Sequence, residues 1–156
     1  MCACVICATA GRVLQTLPRD NQVLGVTSLD NLLCVLRHGM SSDQIEVYDK
    51  DSYRLQRKLT VHGLSSAVDI TACSHNCCAY VSDGGNACVH RVALPAGADV
   101  RSWPVNDTPA RLSVTGLHSV LVTCNKVSKT KEFSTDGRLL RQLQLPGDVT
   151  SPEHAV

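Results

Sequence analysis

Gly25-Val26-Thr27, Asp69-Ile70-Thr71 and Ser113-Val114-Thr115 stand 44 residues apart along the chain, each a small or polar residue followed by a β-branched residue and threonine. A fixed interval of this length marks a repeat architecture. After each triplet comes a polar turn and then a second apolar run, at 33–36, 78–81 and 120–123. The turns contain Asp30-Asn31, Ser74-His75-Asn76 and Leu117-His118-Ser119, so each pair of runs reads as a hairpin. A third run follows at Ile45-Glu46-Val47, Val89-His90-Arg91-Val92 and Lys131-Glu132-Phe133, and a fourth at 55–59, 100–105 and 139–145. Four short antiparallel strands per period make one blade of a β-propeller.

The ends fit the same frame. The run Gly11-Arg12-Val13-Leu14-Gln15-Thr16-Leu17 matches Gly137-Arg138-Leu139-Leu140-Arg141-Gln142-Leu143, so the chain opens midway through a blade. Residues Ser151-Pro152-Glu153-His154-Ala155-Val156 restate Thr108-Pro109-Ala110-Arg111-Leu112-Ser113 and begin another. The expected fold class is therefore all-β. It is a partial β-propeller of three four-stranded antiparallel blades, over 21–63, 64–107 and 108–150, with partial blades at 1–20 and 151–156. Because rings close to avoid exposed sheet edges, an open arc is expected to be a fragment, or else to be completed by missing blades or another subunit.

Composition narrows the function classes. The chain of 156 residues is 44% hydrophobic, enough for a packed core. Its 15 Lys and Arg against 14 Asp and Glu leave no global field to draw it to nucleic acid or an acidic membrane. No apolar stretch reaches the roughly 20 residues of a spanning helix, and residues 1–10 lack the basic start of a signal peptide. Nine cysteines fall mostly in strand-like runs such as Leu33-Cys34-Val35 and Val122-Thr123-Cys124. These read as reduced, buried thiols, and the expected location is cytoplasmic.

The run from Ala79 through Tyr80-Val81-Ser82-Asp83-Gly84-Gly85-Asn86 to Cys88-Val89-His90-Arg91-Val92 resembles the NHL repeat. That repeat has an apolar strand ending in Asp, a turn with Gly and Asn, and a strand with Arg. Ser134-Thr135-Asp136-Gly137-Arg138 is similar to the Asp-Gly hairpin that closes such a blade. Where the middle blade has Asp83, the first is read as having His38 and the third Cys124. The resemblance implies a six-bladed propeller superfamily member whose loops recognise a protein partner, or in some members RNA.

No motif marks an active site. Cys2, Cys4 and Cys7 form a C-x-C-x-x-C cluster without the second pair that zinc sites bring. Gly84-Gly85-Asn86 is not followed by a helix pattern, so it reads as turn chemistry and not a phosphate cradle. His62, His75, His90, His118 and His154 raise the question of a propeller lyase, since one family resembling NHL proteins binds zinc through channel histidines. His154 lies near the start of an inner strand, but its counterpart Arg111 is no ligand, and by strand order His75 and His118 fall in turns at the opposite face. The expectation is a non-catalytic binding or scaffold module, without cofactor or metal. An RNA-binding propeller and a fragment of a propeller lyase or hydrolase are the alternatives. The candidate partner-binding residues are Arg37, His38, Arg111, Lys126 and Lys129, which the strand order places on one mildly basic face.

Overall fold

The computed structural model describes residues 5–7, 13–16, 22–39, 42–94, 99–126 and 128–144. Among them there is no helix, and so none long and apolar enough to cross a membrane. The strands are β1 (Val5–Cys7), β2 (Val13–Thr16), β3 (Gln22–Leu29), β4 (Leu32–His38), β5 (Gln44–Asp49), β6 (Leu55–Thr60) and β7 (Ala67–Cys73). They continue as β8 (Cys78–Asp83), β9 (Cys88–Ala93), β10 (Val100–Pro104), β11 (Pro109–Val114), β12 (Val120–Cys124), β13 (Lys129–Phe133) and β14 (Leu139–Gln144). Three four-stranded antiparallel sheets run in chain order, β3 to β6, β7 to β10 and β11 to β14, and β1 pairs with β2 in a separate hairpin. The chain is an all-β partial propeller, while the partial blade expected over 151–156 lies outside the described residues.

Successive sheets meet through their first strands, β3 against β7 and β7 against β11, which sets the first strand of each blade innermost. Strand alternation then gives the middle blade two buried faces. One face of the middle blade carries Ala79, Val81 and Val92 and packs on Leu36, Ile45 and Val47 of the first. Its other face carries Cys78, Tyr80, Val89 and Trp103 and packs on Leu112, Val120, Val122 and Phe133 of the third. This sandwiching explains why β8 reads as a continuous buried strand and not an alternating one. Cys34, Cys78 and Cys124 are buried and free, and burial pushes the Cys34 and Cys124 thiols up to about 11, where they are inert.

Two registers differ from the sequence reading. Each first strand has an irregularity just before the residue that matches Val26, which pairs with Val35. The matching pairs are Ile70 with Val81 and Leu112 with Val122, so the third-blade counterpart is Leu112 and not Val114. Val114 instead pairs with Val120 at the end of the hairpin. Likewise Asp83 faces Cys88 across its hairpin as Arg37 faces Gln44 and Cys124 faces Lys129. The first-blade counterpart of Asp83 is thus Arg37, not His38.

Candidate functional site

The five residues expected on a basic face are placed very differently. Arg37 is buried, and its Nε donates to Glu46 Oε2 at 2.5 Å. The same carboxylate accepts the Tyr48 hydroxyl at 2.7 Å and meets Lys58 Nζ at 2.9 Å. Arg37 is therefore a core ion-pair residue, and its expected place among solvated loops is corrected. The reason is register: Arg37 lies in β4 opposite β5, where a long side chain lies along the carboxylate of Glu46. His38 is exposed, with Nδ1 2.7 Å from Asp43 Oδ1. Arg111 is half-buried in β11, Lys126 is exposed in the turn after β12, and Lys129 is half-buried at the start of β13.

The middle blade holds a constellation that the spacing did not disclose. Asp83, wholly buried at the end of β8, accepts backbone N–H groups from Ser65, Ser66 and Gly85 at 3.0 to 3.1 Å and from Asn86 at 3.2 Å. It also accepts the Asn86 side-chain amide at 2.8 Å. Burial alone would raise its pKa, but the N–H groups of Ser65, Ser66 and Asn86 outweigh burial and hold the carboxyl below its usual range. Buried His90 sets its Nε2 3.2 Å from Asp83 Oδ2 and 3.3 Å from Cys88 Sγ, and its Nδ1 has no partner.

These three side chains form the one group of metal-capable donors among the described residues, their donor atoms lying within 4.8 Å of one another. Separations near 3.3 Å suit ligands around one small cation. The electrostatics favour a different use. Burial, followed by the charge of Asp83, pushes the Cys88 thiol up to about 11, and Asp83 is saturated with N–H donors. A ligating histidine would also be expected to anchor its second nitrogen, which His90 does not do. The arrangement is a clasp that ties the connection between the first and middle blades to the β8–β9 hairpin. The capping bond from Asn86 Nδ2 to Gly63 O, 2.6 Å, closes it.

The same device joins the blades elsewhere. Asp43 of the first blade accepts the N–H of Ala67 at 3.0 Å, and Asp69 of the middle blade accepts the N–H of Leu112 at 2.9 Å. In the third blade Lys131, buried in β13, donates to Val105 O at 2.7 Å and pairs with Asp107. The remaining histidines are elsewhere: His75 and His118 stack with ring centroids 4.1 Å apart at the turns of the second and third hairpins, and His62 is exposed in a turn. Cys2, Cys4 and His154 lie outside the described residues, and Cys7 belongs to β1.

No family model and no curated protein matches the chain. Solved structures do. A protein of unknown function from Bacteroides caccae superposes with a TM-score of 0.73 at 15% identity, over 91% of this chain and 54% of that one. A streptogramin B lyase matches at 0.71 and 15% identity, over 86% of this chain and 44% of that one. Virginiamycin B lyase from Staphylococcus aureus matches at 0.72 and 17% identity, over 94% of this chain and 50% of that one. The chain spans about half the length of these proteins, and the likeness establishes the propeller fold.

The matches correct the expectation of a non-catalytic scaffold. That reading took the absence of a spaced motif as absence of chemistry, yet solved structures of this fold include lyases. An active site assembled from several blades leaves no fixed spacing within one of them, so the inference from spacing does not hold.

Proposed function

We propose that these blades belong to a propeller enzyme of the lyase or hydrolase class. The observation that carries the reading is the superposition on two lyase structures over 86% and 94% of the chain. The interior supports it by rigidity. The first blade is tied to the middle one, and the middle to the third, by buried carboxylates that accept backbone N–H groups, and catalytic groups held on such a frame keep their positions.

The test uses the protein encoded by the complete reading frame. It is incubated with quinupristin, the compound bound by one of the lyase neighbours, and with a panel of esters and peptides. Elimination breaks a bond without adding water and hydrolysis adds one water, so mass spectrometry separates the two outcomes. Turnover of either kind with a purified protein supports the reading. Absence of any turnover across the panel, with the protein folded by circular dichroism, counts against it.

A further inference from the structure

We infer that the cleft between the middle and third blades binds a small oxyanion, the carboxylate or phosphate head group of a small molecule. The cleft has a volume of about 580 Å³ and is lined by Arg91, Arg101, Ser102, Trp103, Thr135 and Asp136. That size lies within the range of ordinary small-molecule sites.

The cross-strand pairing supplies the argument. Arg91 and Arg101 are direct partners in the β9–β10 ladder, so both project from the same face of the sheet, toward the third blade. Like charges set opposite one another destabilise a strand pair. Asp99 is their common carboxylate, and it approaches Arg101 Nε at 3.5 Å and Arg91 Nη1 at 4.0 Å. Both contacts are longer than a well-formed charge-assisted hydrogen bond, which closes to about 2.7 to 2.9 Å. Two guanidinium groups thus share one loosely held counter-ion beside an open cleft, and planar guanidinium forks suit the paired oxygens of carboxylate and phosphate.

Trp103 also lines the cleft. Trp103 is buried, wedged between the rings of Tyr80 and Phe133 at centroid distances of 5.9 and 6.3 Å, and its Nε1 has no acceptor. Thr135 of the third blade adds a hydroxyl-bearing side chain to the cleft wall. Asp136 is turned toward Ser134, whose hydroxyl it accepts, and its charge confines the head group to the arginine side.

Trp103 is the one tryptophan of the chain, so its fluorescence reports on the cleft directly. The experiment titrates the folded protein with phosphate and, separately, with acetate, at ionic strength held constant with chloride. A saturable change is expected with at least one of them, and the better ligand identifies the head group. Arg101→Met, a change at an exposed side chain, should weaken binding by about ten-fold, the equivalent of one charge-assisted pair. Asp99→Asn removes the competing carboxylate and should tighten binding. Absence of saturation with both anions would overturn the inference, as would equal affinity in wild type and Arg101→Met. Neither result bears on whether the complete protein is a lyase.

Discussion

The first and middle blades use equivalent positions for opposite chemistry. Where the second strand ends, the first blade has Arg37 and the middle blade Asp83, and across from Val35 and Val81 the third strands carry Glu46 and His90. In the first blade the pair closes on itself as a buried ion pair, with Tyr48 and Lys58 sharing the carboxylate. In the middle blade the carboxylate turns to backbone N–H groups of the preceding connection and of its own hairpin. The fold therefore requires polar satisfaction at these positions and leaves the residue types open. The middle blade, where Asp83 ties down the preceding connection, keeps the legible motif, whereas the first blade carries an ion pair at these positions and lacks it.

The comparison breaks first at Asp83. Asp83→Ala removes a wholly buried carboxylate and with it the charge-assisted hydrogen bonds from the N–H groups of Ser65, Ser66, Gly85 and Asn86, and should cost about 3 to 5 kcal/mol, read as a lower midpoint in urea. Glu46→Ala strands a buried guanidinium and should cost about 3 kcal/mol. The double change Arg37→Met with Glu46→Leu should recover most of that loss, because it removes both buried charges together. A comparable paired replacement at Asp83 and His90 should recover little.

Acid sharpens the contrast. Burial raises the pKa of Glu46, but Tyr48, Lys58 and Arg37 more than offset it, and the net direction is downward, as for Asp83. A depressed carboxylate contributes stability above its unfolded value, about 4, and that contribution is lost as pH falls through the folded value. Denaturation midpoints should therefore be flat above about pH 5 and fall below pH 4, and less steeply in Glu46→Gln.

Smaller effects are expected away from these pairs. Gly137 has φ of 90°, and a Cβ there would meet Trp103 Cγ at 2.6 Å, so Gly137→Ala should cost about 1 to 3 kcal/mol. Exposed Lys126→Ala should change stability by less than about 0.5 kcal/mol.

What could be read from the chain follows from the same contrast. Strand order was legible because apolar runs such as 78–81 and 120–123 recur between turn residues, and burial on both faces of a blade demands them. The equivalence of Val114 was misread because turns of unequal length hide a shift that only pairing reveals. Arg37 looked like a loop cation because its partner Glu46 stands nine residues away, across a hairpin whose register a sequence does not display. The clasp at Asp83 was hidden for a like reason. Its acceptor role depends on Ser65 and Ser66, whose backbone groups carry no sequence signal. The cleft arginines needed the β9–β10 register before their opposition could be seen.

Buried carboxylates hold the blade connections by their backbone N–H groups, a claim that amide hydrogen exchange tests at Ser65 and Ser66. Ser65 and Ser66 are exposed residues in a bend, where unbonded amides exchange freely. Their N–H groups should nonetheless exchange as slowly as those of neighbouring strands in the wild type, and revert to loop rates in Asp83→Asn, which removes the charge that accepts them. Exchange at Ser65 and Ser66 in the wild type as fast as at His62 and Gly63 would contradict the claim.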